Sequence, residues 1–341
     1  MPPSFRVPES VVAAAARLAP APVTAIEEVR KGGNSRVFKV VTAAGHYALK
    51  QYPADDRRDR QGAEARALAF LARTGVGRAP RLVAADESTR ASLLSWIEGA
   101  AISQVSDADI AQFAQFQIDL DRATDADARR DIGPAAEACI SGARILSHIR
   151  GRYGPLVALG EQLPRLEKLL RSRFLPALTA AETRARRIYG ELGLNFAADR
   201  PLASQTLIAS DFGAHNALRG ADGDLIFLDF EYFGWDDPLT SIGNFVLHPG
   251  MELTAAQQSL YQNALLAHFG ASHERRLAAL LPLYGLRWCA IILSDLLPDR
   301  VAHRSAANAA PDDRDERAAR QLAKAERLLG QLEQVLKEGA P

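Results

Sequence analysis

The sequence predicts an α+β protein in which a small β-rich lobe precedes a larger, mainly helical one. Three observations carry that expectation. The first hundred residues hold five strand-like segments around one helical segment. After Gly99 the apolar spacing turns helical, broken only by two short strand-like pieces near residues 207 and 227. The length of 341 residues is too great for one small domain and fits two lobes.

Residues 8–18 read as a short amphipathic helix. Strands follow at about 24–29, 35–42 and 45–52, the last two joined across Ala43-Ala44-Gly45, which is hairpin chemistry. In the middle strand Val37, Lys39 and Val41 share one face, and Phe38 and Val40 the other. Residues 57–73 form a helix with Ala65, Leu68, Ala69 and Leu71 on its apolar side, and strands at 81–86 and 91–97 end at Glu98-Gly99. Helical periodicity then covers 107–120, 135–150, 163–190, 254–269, 273–297 and 312–337. The expected division is an N-terminal lobe over 1–98, a hinge at about 95–99 and a C-terminal lobe over 99–341. A cleft between two such lobes is the ordinary place for a ligand.

Lys and Arg together number 41, as do Asp and Glu, so the formal net charge is zero and no nucleic-acid partner is expected. Cys139 and Cys289 cannot form a disulfide framework, and the opening Met1-Pro2-Pro3-Ser4-Phe5-Arg6 lacks an apolar leader core, so a cytoplasmic setting is expected. The most apolar stretch, 277–297, contains Arg287 and Asp295 and is interrupted by Pro282, which reads as a buried helix and not a membrane span. There are only six lysines against 35 arginines. A lysine closing an apolar strand, as Lys50 does, therefore stands out.

The strongest constellation is Ser210-Asp211-Phe212-Gly213-Ala214-His215-Asn216, followed by Leu225-Ile226-Phe227-Leu228-Asp229-Phe230-Glu231. An apolar strand that ends in Asp229 delivers a carboxylate rigidly. Oxygen ligands from Asn216 and Asp229 suit Mg²⁺, leaving Asp211 to accept a proton from an attacking hydroxyl. The second constellation is Gly32-Gly33-Asn34-Ser35 between two strands, where glycines admit a ligand close to the backbone. Lys50 closes the next strand, and Glu64 is the only glutamate of the helix after it. A lysine held by such a glutamate is a fixed cation for phosphate oxygens.

Together these parts resemble the aminoglycoside phosphotransferase/choline kinase-like family, which shares the two-lobed protein-kinase-like fold. The resemblance runs from about residue 24 to about residue 300. It implies ATP and Mg²⁺ as cofactors and a small-molecule hydroxyl as acceptor. On this match Asp211 stands for the catalytic Asp, while Asn216, Asp229 and the variable second acid Glu231 stand for metal ligands. Lys50 and Glu64 stand for the nucleotide-phosphate Lys and its partner, and Gly32 to Ser35 for the phosphate loop. Ser95-Trp96-Ile97-Glu98-Gly99 resembles the hinge, with the backbones of Ser95 and Ile97 facing adenine. Gly234-Trp235-Asp236-Asp237-Pro238 resembles the family's Gly-Asp-Pro stretch. One departure is plain: Ala209-Ser210 stand where the family has His-Gly, giving the variant loop Ser-Asp-Phe-Gly-x-His-Asn.

Taken singly, each feature has a plainer reading: Gly32-Gly33 as a turn, Lys50 as a solvated strand end, Glu64 as a helix-surface charge, Asp229 to Glu231 as a cap. Order and spacing together favour the joint reading. His215 is expected to bond within its loop, Trp288 and Cys289 to pack in the core, and Leu322, Ala325, Leu329, Leu332 and Leu336 to seat a C-terminal helix. His248 and Asp295 are candidates for an acceptor pocket. The departure at 209–210 motivates an alternative, a nucleotide-binding pseudokinase that senses or scaffolds. The short run from Asp229 to Pro238 argues against a protein kinase. The oligomeric state is left open as monomer or homodimer.

Overall fold

The computed structural model describes residues 7–29, 35–53, 58–301 and 314–338. The predicted Gly32, Gly33 and Asn34 lie outside the described residues. The chain forms two compact units, one of residues 1–104, 122–136 and 209–234, the other of 105–121, 137–208 and 235–341. The segment from Ala209 to Gly234, which carries Asp211, Asn216, Asp229 and Glu231, thus groups with the sheet that bears Lys50.

The first unit is built on a five-stranded antiparallel sheet of β1 (Val23–Val29), β2 (Arg36–Thr42), β3 (Gly45–Gln51), β4 (Leu82–Asp86) and β5 (Ala91–Ser95), in the order β1-β2-β3-β5-β4. Helix α1 (Glu9–Leu18) places Val11, Ala14 and Ala15 at helical spacing against Phe38, Val40, Leu49 and Leu93 of the sheet, all fully buried. Alternation along a strand then sends Lys50 to the opposite face from Leu49. Lys50 sits in the central strand, across from Val37 on β2 and Ser92 on β5. Helix α2 (Arg60–Thr74) is capped by Asp59, whose side chain accepts the Gly62 N–H, and its first residue comes three later than the apolar spacing predicts.

Within the same unit, β6 (Ala100–Ala101), β8 (Ala217–Arg219) and β9 (Leu225–Phe227) form a small antiparallel sheet in the order β6-β8-β9. The strand predicted near residue 227 is β9, and the strand predicted near residue 207 is β7 (Thr206–Ile208) of the second unit. β7 pairs with β10 (Gly234–Asp236). Gly234 is obligatory, because a Cβ there would lie 2.4 Å from the Ala135 nitrogen.

The second unit is helical. Its elements are α3 (Asp107–Arg122), α5 (Gly142–Gly160), α6 (Pro164–Leu169), α7 (Leu175–Glu191), α8 (Pro238–Val246), α9 (Ala255–Phe269), α10 (Glu274–Ser294) and α11 (Arg314–Glu338). The short α4 (Ala126–Asp131) belongs to the first unit. The helix predicted at 135–150 instead runs from 142 to 160, because Ser141 caps it by accepting the Arg144 N–H. The helix predicted at 163–190 is continuous except for a π-turn at Leu170–Phe174. Helix α8 is not among the predicted helices: it is only nine residues long, and its polar residues Thr240, Ser241 and Asn244 are buried like the rest, so they do not mark a solvent face. Helix α10 is the apolar stretch that could cross a membrane by length alone; 83% of its most apolar window is buried, as expected for a core helix. Leu322, Ala325, Leu329 and Leu332 of α11 are buried, and Gly285 of α10 admits Leu332 so closely that a Cβ would meet it at 2.5 Å.

Candidate functional site

Three chain segments of the first unit meet at Lys50: β3 itself, α2 with Glu64, and the 229–231 segment. Its Nζ lies 2.8 Å from Glu64 Oε2, 2.7 Å from Asp229 Oδ1 and 3.2 Å from Glu231 Oε2. Burial disfavours its charge, but the carboxylates of Asp229, Glu64 and Glu231 outweigh that cost and hold the ammonium well above its ordinary pKa. Lys50 is therefore a permanent cation with a fixed position.

Glu64, one turn into α2 and 2% exposed, accepts from three donors. Besides Lys50, the Tyr52 hydroxyl donates to Oε2, and the Phe230 N–H donates to Oε1 at 3.0 Å. It thus ties the end of β3 to the backbone between Asp229 and Glu231. Tyr52 and this backbone contact carry no sequence signal, because a tyrosine just past a strand is ordinary.

Glu231 is 2% exposed. Its Oε1 accepts from Arg60 Nη1 at 3.1 Å, and its Oε2 accepts from the Ser35 hydroxyl at 2.8 Å as well as facing Lys50. Burial and the Asp229 charge push its pKa up, against the opposing pull of Lys50, Ser35 and Arg60. Arg60 also lies over the Tyr232 ring, 5.2 Å from its centre. Sequence reasoning missed Arg60, which among 35 arginines has nothing to distinguish it.

The loop before β8 is folded by its own side chains. Asn216 Nδ2 donates to the Asp211 carbonyl at 2.9 Å, and His215 Nε2 lies 3.1 Å from Asp211 Oδ1, the within-loop role expected for that histidine. The Leu228 N–H donates to the Asn216 carbonyl at 2.8 Å, which sets Asn216 beside the strand end that carries Asp229. The Phe212 ring packs 5.0 Å from that of Phe227. Two residues of this region have left-handed backbone, Ser210 with φ 65° and Asp229 with φ 64°. That conformation favours glycine, which is what the resembled family carries in place of Ser210. The structure therefore brings together Ser35, Lys50, Glu64, Asp229 and Glu231 in one network, and Asp211 with Asn216 in the adjoining loop.

At the hinge segment the Ser95 N–H donates to the Arg81 carbonyl at 2.9 Å, and its hydroxyl accepts the Arg81 N–H at 2.9 Å. Trp96 Nε1 donates to Glu98 at 2.9 Å, and Lys39 Nζ lies 4.7 Å above the Trp96 ring. Ile97 is half-buried. In the second unit His248 meets the edge of Trp288 at 4.6 Å, Asp295 accepts from Gln321 at 3.1 Å, and Cys289 is buried with its thiol pushed up to about 12 by burial.

A family model described as the phosphotransferase enzyme family matches residues 25–280. No curated protein matches the sequence. Among solved structures, a choline/ethanolamine kinase family protein from Mesorhizobium loti is 18% identical over 97% of this chain and 100% of its own, with a TM-score of 0.58. The choline kinase LicA from Streptococcus pneumoniae is 15% identical over 94% of this chain and 97% of its own, with a TM-score of 0.57. The ADP-bound aminoglycoside phosphotransferase APH(2'')-Ib is 14% identical over 95% of this chain and 97% of its own, with a TM-score of 0.55. At such identities the likeness establishes the two-lobed α+β fold.

Proposed function

The chain belongs to the phosphotransferase enzyme family, and on that premise we propose that it moves the γ-phosphate of ATP to a hydroxyl of a small molecule, such as an amino alcohol, a sugar or an aminoglycoside-like compound. The observation that carries the reading is Lys50, buried in the central strand and held at 2.7 Å from Asp229. A fixed cation beside a strand-end carboxylate is the arrangement phosphoryl transfer needs, since its catalysis is mostly positioning and charge neutralisation. The choline kinases and the aminoglycoside phosphotransferase among the structural neighbours support the same class.

The donor set fits a magnesium ion. With its Nδ2 spent on the Asp211 carbonyl, Asn216 has its amide oxygen left as a ligand, and Asp229 is a partly exposed carboxylate; both are hard oxygen donors. Asn216 and Asp229 would hold Mg²⁺, which when bound neutralises charge on the phosphate oxygens. Glu231 would join them only by releasing Ser35, Arg60 or Lys50. Lys50 binds phosphate oxygens, with Glu64 keeping its ammonium in place. Ser95 has its N–H engaged by Arg81, so the adenine donor falls to the Ile97 backbone. Asp211, with a side chain 36% exposed, orients the acceptor hydroxyl and takes its proton. The run from Asp229 to α8 at Pro238 leaves no long segment to hold a peptide, which favours a small acceptor.

The test is an ADP-coupled screen against pooled hydroxylated metabolites, with Asp211→Asn as the blank. Transfer to one acceptor class, lost in Asp211→Ala and Asp229→Ala, supports the assignment. Wild-type turnover in both variants would end it. Tight MgATP binding by calorimetry with no transfer to any acceptor would make the chain a nucleotide-binding sensor instead.

A further inference from the structure

Helix α2 grips the segment after Asp229 with two side chains one turn apart, Arg60 and Glu64, which share a face of the helix. Glu64 accepts the Phe230 N–H at 3.0 Å, and Arg60 Nη1 donates to Glu231 Oε1 at 3.1 Å. Arg60 is 8% exposed and is the first residue of α2. A cation at that end of a helix opposes the helix dipole, and burial adds to its cost. The Glu231 carboxylate offsets both. Its other oxygen, Oε2, accepts from the Ser35 hydroxyl at 2.8 Å and faces Lys50 at 3.2 Å. Ser35, the residue before β2, is itself buried. Both Glu231 oxygens are thus taken by donors from α2, from β3 and from the residue before β2. Asp229 differs: its side chain is 35% exposed, and it meets Lys50 through Oδ1.

Charge alone would give both acids an equal claim on a divalent cation, since they stand two residues apart after one strand. Their bonds break that equivalence. For Glu231 to turn Oε1 toward an ion, the buried Arg60 guanidinium must first lose this carboxylate. We propose that Arg60 is a positioning residue for the transfer reaction: it holds Glu231 on Ser35 and away from magnesium, so that Asp229 is the acid that meets the ion. The inference rests on the reading above, in which Asn216 and Asp229 are the magnesium donors. A site with one acid binds a bare divalent cation weakly and gains affinity when phosphate oxygens complete the shell.

The test uses the full chain with ADP present and Mn²⁺ as the probe, its free fraction read by electron paramagnetic resonance. In the wild-type background Glu231→Gln shifts the Mn²⁺ dissociation constant by less than about threefold, whereas Asp229→Asn weakens binding about tenfold or more. Arg60→Met tightens Mn²⁺ binding, and in that background Glu231→Gln weakens it about tenfold, because the released carboxylate has joined the ion. A mere change of field would move the constant by the same factor in both backgrounds, and that equality overturns the proposal. So does a loss in Glu231→Gln as large as in Asp229→Asn, which would make Glu231 a ligand in the wild type. Should circular dichroism show Arg60→Met unfolded, Arg60→Gln replaces it under the same criteria. Affinity that ignores Asp229→Asn overturns the magnesium assignment and this proposal together, while equal factors with Asp229 required overturn this proposal alone. The readout needs no acceptor, so it decides the matter whatever the transfer screen returns.

Discussion

Replacing Glu64 with glutamine keeps the shape of the side chain and removes one charge. In the wild type both carboxylate oxygens face donors only: Lys50 at 2.8 Å and the Tyr52 hydroxyl on one, the Phe230 N–H at 3.0 Å on the other. An amide must turn an NH₂ group toward one side, so whichever way the new side chain settles, at least one buried donor loses its acceptor and meets another donor. An unsatisfied buried group costs about 1–3 kcal/mol, and breaking a buried ion pair from one side about 3–5 kcal/mol. Asp229 and Glu231 still hold Lys50, so the expected loss of stability lies at the lower end, about 2–4 kcal/mol. Urea unfolding should show it as a fall in midpoint with unchanged slope. If about 3 kcal/mol of that loss also falls on the transition state, kcat/KM for ATP drops about a hundredfold, with KM for the acceptor little changed. Stability within about 0.5 kcal/mol of wild type would refute the reasoning, because that is the range of an ordinary surface substitution.

Asp211→Ala should lower turnover by about a hundredfold to ten-thousandfold while leaving the fold intact, and Asp229→Ala at least as much, read from steady-state ADP release. Ser210→Gly relieves a left-handed serine, so thermal melting should show a gain of up to about 1 kcal/mol; a clear loss would show that the φ of 65° is not strained. Two buried groups give opposite pH slopes. Burial raises Asp236 to about 7, so the folded state keeps a proton that the unfolded chain releases near 4, and stability falls as pH rises through that window. Burial and then the Arg287 charge lower His148 to about 4, so stability is lost as pH falls from 6.5 toward 4. Asp236→Asn should flatten the first slope and His148→Gln the second, measured as unfolding midpoints from about pH 4 to about pH 8.

Much of this was legible in the residues. The strands of the first unit announce themselves because one face is buried under α1 and alternation is clean, as Phe38 and Val40 show. Lys50 was conspicuous because lysine is rare in this chain, and Asp211, Asn216 and Asp229 because an apolar strand separates them in a fixed order. Other parts had no local signature. Helix α8 is nine residues long and buried on every side, Thr240, Ser241 and Asn244 included, and β6 and β10 are two and three residues long, too short for any period to register. Arg60 reaches Glu231 across 171 positions, and the Phe230 N–H reaches Glu64 across 166, so both bonds exist only once the chain has closed. The left-handed backbone at Ser210 and Asp229 is likewise imposed by tertiary context against local preference.

The stretch recognisable as a family member begins at residue 25 and stops at residue 280, in the middle of α10. Physically it is not a unit. A fragment trimmed to those limits would strip α1 from the sheet, uncovering Phe38 and Leu49, and would lose most of α10 together with all of α11, uncovering the side of α7 on which both pack. Anyone shortening this protein for expression or crystallisation should therefore keep both ends, because the least recognisable helices are the ones that close its two cores.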